Sequence, residues 1–473
     1  MRIMPSALWI LLLLAMACSP FTPQPRTPVT QDIGPRFSLY SAEAVPMDRW
    51  WESFSAPDLT ALIDEALGGN FGLKESWARL SQAQARAVQA GAAIYPGLDA
   101  AAGATTGRQH SGSGGTSSLE NASVGLISRY ELDLWGRIRS EREAAVMEAA
   151  ASREDVNAAA ISLAAEVADR WVRLIAQRQQ IALLERQLKI NQTFLELIEL
   201  RFQKAMVSAL DVYQQKQVVE RVRAGIPLAR QQAQLLLNEL AVLVGKSPQM
   251  NILVTSERLP IPADLPSAGV PADLLANRPD IRAAGKRLTA ADWQVAAAQA
   301  NRLPAINLTA TARYGEADVG DLFNNWLLSL SASLTAPLLD GGRRKAEVDR
   351  TRARTEENLW AYRQVVITAI KEVEDALVSE AMQRAHITGL DAVSVSSRRA
   401  LEEAVSRYRN GLSDYLPVLT QLLAVQDLER DLIRQTATLV QYRVSLYRAL
   451  GGTWPSELTS SQSADPIAIT GTL

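Results

Sequence analysis

One cysteine and two histidines in 473 residues leave little material for thiolate metal sites or an internal disulfide framework. His110 stands in a Ser/Gly-rich stretch and His386 in a helical one, neither with matched ligands near it in sequence. No nucleophile motif and no glycine-rich phosphate loop occurs, so the chain is not expected to be an enzyme or to carry a cofactor. Its formal net charge of −2 provides no basic field for nucleic acid. Beyond the first twenty residues there is no run of some 18 apolar residues, so any membrane crossing must use strands. At 21% charged and 47% hydrophobic the composition is that of a folded chain, and its many Glu and Arg read as solvated helix faces rather than acid/base pairs.

The start of the chain is a targeting pattern rather than structure. Arg2 precedes an apolar stretch from Ala7 to Ala15, too short for a permanent bilayer helix, and Ala15, Met16 and Ala17 lead directly into Cys18. A bacterial lipoprotein signal has this form. Residues 1–17 are expected to be removed and Cys18 to become the lipidated first residue, its covalent lipid standing in place of any cofactor; the alternative is an ordinary signal peptide with an incidental cysteine, since Ala15 and Met16 are less typical of a lipoprotein signal. Five prolines between residues 19 and 35 then favour an extended tether over 18–36, with a reach of roughly 50 Å. Trp50, Trp51, Phe54, Leu59, Leu62, Ile63 and Leu67 begin a helical pattern that breaks at Gly68 and Gly69.

Sliding the chain against itself reveals a duplication. At an offset of 206, Gly136 and Arg137 fall on Gly342 and Arg343, Arg201 and Phe202 on Arg407 and Tyr408, Val212 on Val418, and Leu240 and Gly245 on Leu446 and Gly451. At 208, Leu73 falls on Ile281, Lys74 on Arg282, Arg79 and Leu80 on Arg287 and Leu288, and Pro96 on Pro304. Strict alternation marks two strands in the second half, 305–314 (Ile306, Leu308, Ala310, Ala312, Tyr314 on one face) and 326–336 (Leu328, Leu330, Ala332, Leu334). Weaker, alanine-rich equivalents lie at about 98–108 and 120–132. Their connection, Gln109 to Ser118, has three glycines and four serines and is expected to be a mobile loop.

A very long helix is expected after each strand pair. Ala160, Val167, Leu174, Ile181, Leu188, Leu195 and Phe202 recur every seven residues as one column, and 138–202 would run close to about 100 Å. In the second half Leu359, Val366, Ile370, Val373 and Leu377 play the same part. The helices break at Ala205 to Ser208 and at Gly411. Return helices follow, the first expected to kink at Pro227, and both end at glycine. Four strands cannot close a barrel, and open edges in lipid leave backbone groups unpaired, so neighbouring subunits must complete it. A soluble, non-channel coiled-coil scaffold accounts for the heptads but not for strand pairs at matching points of a duplicated chain.

Leu274 to Ala283 (LLANRPDIRA), the run to Gln299 and Pro304, the Trp50, Trp51 and Phe54 motif, the two Gly-Arg entries and the tip sequences 201–211 and 407–419 resemble the TolC-like outer-membrane factors. The lipoprotein branch that works with resistance-nodulation-division pumps is the nearest match, over roughly residues 40 to 455. Gly285 departs from the glutamate usual after the arginine-proline-aspartate run. The resemblance implies a mainly α chain with a membrane β-barrel: a homotrimer with twelve strands in the outer membrane, an α-helical barrel in the periplasm and a mixed equatorial region. On that plan the first repeat covers 37–250, an equatorial link 251–273, the second repeat 274–452 and an equatorial tail 453–473. The implied function is the outer-membrane channel subunit of a tripartite efflux pump, with a periplasmic adaptor and an inner-membrane pump as partners. An ATP-driven protein secretion channel is the alternative within the family. Arg201, Ser208, Asp211, Arg407, Gly411, Asp414, Tyr415 and Thr420 are the candidate gate and adaptor-docking residues. The family's paired gate aspartates fall here on Pro417 and Thr420, so Asp211 and Asp414 are left either to replace them or simply to cap the return helices.

Overall fold

The computed structural model describes residues 21–23, 33–37, 49–112, 115–262, 270–317, 321–452 and 458. The signal segment, Cys18, most of the tether and nearly all of the tail lie outside the described residues. Two compact units are present, one built mainly from 78–153 and 282–364, the other from 29–77, 154–281 and 365–473.

The element order repeats as the sequence duplication requires. A 3-10 turn (Trp50–Phe54), α1 (Pro57–Gly69) and α2 (Phe71–Ala92) lead to β1 (Gly97–Ser111) and β2 (Gly115–Leu132), then α3 (Arg137–Gln203) and α4 (Ala209–Leu243). The second half has α5 (Leu274–Asn277), α6 (Pro279–Ala300), β3 (Ala305–Glu316), β4 (Trp326–Thr335), α7 (Arg343–Arg409) and α8 (Leu416–Leu450). Helices α3 and α7 each have 67 residues and α4 and α8 each have 35. Among the described residues, no helix is long and apolar enough to cross a membrane.

In the first unit the strands form one antiparallel sheet in the order β1-β2-β3-β4, with β2 joined to β3 across the two halves. The expected mobile loop at 109–118 is mostly ladder: pairing continues through Gln109↔Ser117 and His110↔Thr116 to Ser111↔Gly115. Ladder bonds use backbone groups that Gly and Ser carry as fully as any residue, so once the register is set it propagates through a sequence rich in turn formers. Trp135 closes the base of the sheet by donating its indole N–H to the Pro304 carbonyl at 2.7 Å.

The second unit shows how the duplication diverged. Asn70 donates to the carbonyl of Leu243 at 2.8 Å, and Arg278, its match at offset 208, donates to Ala449, the match of Leu243 at offset 206, at 2.9 Å. Arg178 and its match Arg384 hold the mid-chain link through the carbonyls of Val254 and Pro262. Asp58 fastens the same link, accepting from Ser256 Oγ (2.7 Å), Ser256 N (3.0 Å), Thr255 N (3.1 Å) and Trp171 Nε1 (3.2 Å). Burial pushes the Asp58 carboxyl up, but these bonds from Ser256, Trp171 and Thr255 outweigh it and hold it below the usual carboxylate range.

Pro227 lies inside α4, which runs as one helix from Ala209 to Leu243. One expectation about the helices changes. The seven-residue column of α3 is buried at Ala160, Val167 and Leu174, half-buried at Ile181, Leu188 and Leu195, and exposed at Phe202. A helix drifts about 20° per heptad against a strict seven-residue repeat, so over six heptads a straight column rotates off the contact line. The buried seam toward the end of α3 is instead Leu183, Gln187, Asn191 and Ile198, two of them polar.

Candidate functional site

The sheet has two chemically different faces, and its register defines them row by row. One face carries Leu132, Ile306 and Leu334; Tyr130, Leu308 and Ala332; Leu98, Ser128, Ala310 and Leu330; Ala100, Leu126, Ala312 and Leu328; and Ala102, Val124, Tyr314 and Trp326, with Ser128 its one small polar member. These side chains meet solvent in the single chain, with Leu330 80% and Trp326 71% exposed. The next row contains Glu316 opposite Ala122, and the face then turns polar at Thr106, Glu120 and Arg108. From Leu132 to Ala122 is a rise of about 33 Å along the strand, or about 25 Å along the axis of a barrel whose strands tilt near 40°, the height of a membrane band. Tyr314 and Trp326 at its upper edge, with Phe323 packed on Tyr314 at 5.5 Å, stand where interfacial aromatics belong.

The opposite face is Glu131, Asn307 and Ser333; Gly97, Arg129, Thr309 and Ser331; Asp99, Ile127, Thr311 and Ser329; then Ala101, Gly125, Arg313 and Leu327; then Gly103, Ser123 and Gly315; then Thr105 and Asn121. Apart from Ile127 and Leu327 its larger side chains are polar, and it suits water. β1 and β4 each have one unpaired edge within the chain, which a span through lipid cannot leave open.

The other candidate region is the pair of helix turns, α3 to α4 and α7 to α8, in the second unit. Both turns close in the same way. Met206 N donates to Arg201 O and Leu412 N to Arg407 O, each at 2.9 Å, with Ala205 at φ 51° and Gly411 at φ 71° between them. This is a left-handed helix C-cap, for which glycine is the natural residue; the first half makes it with alanine. A cluster of Ile198, Val218, Ala404, Tyr408, Tyr415, Val418 and Leu419 joins the two turns.

The predicted tip residues separate into several roles. The Arg201 guanidinium lies 4.4 Å from the centre of the Tyr408 ring, and Tyr408 packs on Tyr415 at 5.5 Å. Tyr415 is buried and donates to Gln215 Oε1 at 2.7 Å. Burial pushes its phenol well up, with Tyr408 and Asp211 adding to the effect, so it stays a neutral donor. Ser208 caps α4: Asp211 N donates to Ser208 Oγ at 3.3 Å, and Asp211 Oδ2 accepts from Ser208 N at 3.0 Å. Asp211 therefore serves as a capping residue in this conformation. Asp414 does not cap α8, whose N-cap residue is Tyr415 and which has no side-chain cap, and it is exposed. Thr420 turns its hydroxyl back to Leu416 O at 2.9 Å, and the Arg407 side chain is exposed.

Sequence reasoning missed a buried polar ladder adjoining this cluster. Gln187 donates to Gln426 O (3.0 Å), Asn191 exchanges amide bonds with Gln426 (3.1 and 3.3 Å), and Gln215 donates to Asn191 O (2.8 Å). The available signal was Leu183, Gln187, Asn191, Phe194 and Ile198, a core stripe in steps of four and three with amides at two positions.

The family model for the outer membrane efflux protein matches residues 62–246 and 270–452. The pyoverdine export outer membrane protein OpmQ of Pseudomonas putida is 34% identical over 455 residues, covering 93% of this chain and 96% of that one. The outer membrane protein OprJ of Pseudomonas aeruginosa is 32% identical over 95% of each chain. Among solved structures, the outer-membrane channel OprN superposes with a TM-score of 0.86 at 27% identity, covering 92% of this chain and 99% of that one. CusC superposes with a TM-score of 0.82 at 26% identity, covering 91% and 99%. Matched by the family model along both of its repeats, this chain belongs to the outer membrane efflux protein family.

Proposed function

We propose that three copies close one twelve-strand barrel in the outer membrane and form the exit duct of a tripartite pump. The observation that carries this reading is the sheet: four strands, an apolar face of membrane height, and an edge left open on each side. Two copies would give eight strands, whose interior is only wide enough for side chains; three is the first number that leaves an aqueous bore. A channel of this kind has no energy source of its own, which supports a periplasmic adaptor and an inner-membrane pump, of resistance-nodulation-division type, as partners. The helix turns at 201–211 and 407–420 are the surfaces proposed for adaptor docking and gating. Small molecules are the proposed cargo, since relatives are described as exporting pyoverdine or toluene. Acylation of Cys18 would add a lipid anchor separable from barrel insertion.

The test is the oligomeric state and conductance of the purified full chain in mild detergent and in planar bilayers. A trimer with discrete conductance steps is expected. A monodisperse monomer that conducts nothing would refute the barrel.

A further inference from the structure

The water-facing side of the sheet holds four charged residues, and they are not evenly placed. Asp99 and Glu131 are both engaged, with Arg129 at 3.1 Å and Arg137 at 2.7 Å. Arg313 is the fourth. In its row the register places Ala101, Gly125 and Leu327, and the two rows toward the hairpin ends hold Gly103, Ser123 and Gly315, then Thr105 and Asn121, none of them charged. The row on the other side holds Asp99, two strands away on β1 and paired with Arg129. Among the described residues, Arg313 has no ion-pair or hydrogen-bond partner for its guanidinium, and it is exposed.

Its neighbour across the ladder is the second observation. A Cβ built on Gly125 would lie 2.6 Å from Arg313 Cβ and 2.4 Å from the Ala312 carbonyl oxygen. Only glycine fits opposite Arg313 at this approach, so no side chain from β2 stands beside the guanidinium in its row.

We propose that Arg313 forms a cationic collar in the outer part of the lumen, one guanidinium per chain, which favours anionic solutes such as carboxylates and phosphates over cations. This rests on the closed-barrel reading, because a collar exists only where the sheet encloses a bore. The magnitude is accessible: a unit charge about 7 Å from an ion in water changes its local concentration by about threefold. Low-dielectric walls focus the field, and salt beyond about 0.1 M screens it. Rings of Arg or Lys are a general means of anion preference, and lumenal substitutions tune selectivity in barrels of this kind.

The experiment measures reversal potentials of the reconstituted full chain in planar bilayers under a KCl gradient at low ionic strength. Arg313→Gln should lower the chloride-to-potassium permeability ratio by about twofold, Arg313→Glu should lower it further, and Arg313→Lys should leave it near wild type. To hold the fold constant, Arg313→Cys is recorded before and after reaction with methanethiosulfonates of opposite charge. The ammonium reagent should restore chloride preference, and the sulfonate reagent should deepen the preference for potassium. A wild-type chain that does not conduct removes the barrel reading and the collar together. A conducting channel whose reversal potential is the same in wild type, Gln and Glu variants, and after both reagents, overturns the collar alone.

Discussion

Replacing Ala205 with glycine should tighten the first helix turn, and replacing Gly411 with alanine should loosen the second. Both residues occupy the left-handed region, at φ 51° and 71°, in turns closed by the same bond to the residue four positions before them. A Cβ in that region costs roughly 1–2 kcal/mol, and glycine costs about 0.4–1 kcal/mol in the freedom it adds to the unfolded chain. The difference predicts a gain of about 0.5–1 kcal/mol for Ala205→Gly and a similar loss for Gly411→Ala. Space does not complicate the second substitution, since an added Cβ at Gly411 meets nothing within 4 Å. The assay is amide exchange at Met206 and Leu412, whose N–H groups close the two turns. Local opening governs their exchange, so Ala205→Gly should slow Met206 by about twofold to fivefold and Gly411→Ala should speed Leu412 by a like factor. Faster exchange at Met206 in Ala205→Gly, or slower exchange at Leu412 in Gly411→Ala, would show that the backbone conformation does not control these turns.

Glu380 and Arg443 form a buried ion pair at 2.6 Å, and the matching positions in the first half are Leu174 and Leu237. Glu380→Ala should destabilise by about 3–5 kcal/mol by stranding the arginine, whereas Glu380→Leu with Arg443→Leu should be close to neutral; thermal unfolding of both variants distinguishes a stranded charge from lost packing. Asp58 is held below its ordinary value, so its contribution is present above the unfolded carboxylate range and is lost as pH falls through the lower folded value. Proteolysis of the 251–262 link should therefore accelerate in acid, and Asp58→Ala should make it fast at neutral pH; equal rates in the two proteins at pH 7 would refute the clamp. Cys18→Ala should abolish acyl labelling and leave an uncleaved precursor, and a mature wild-type protein free of acyl groups in mass spectrometry would remove the anchor.

Much of this architecture was legible in the chain because period and duplication are local properties. Alternation located β3 within two residues of its end and β4 within one, since each side chain's face follows from its parity. Gly411 and the repeat offset located the turns, and the stretches expected to be helical became helices of 67 and 35 residues. The weaker first hairpin was underestimated, because the composition of 109–118 describes the residues' freedom and not the partner strand that removes it.

What the sequence determined by itself was therefore the set of elements, their order and their polarity. Tertiary structure decided which of those residues meet. The drift of a helix against a seven-residue repeat moved Phe202 outward and brought Gln187 and Asn191 into the seam, where amides must find each other or remain unsatisfied. Sheet register placed Arg313 opposite a glycine in a row without a carboxylate, while Asp99 in the next row and Glu131 farther along the same face are held by other arginines. Parity along one strand assigns a face, but only pairing between strands sets the neighbours on it, and those neighbours determine whether a charge is neutralised or left to act on whatever passes.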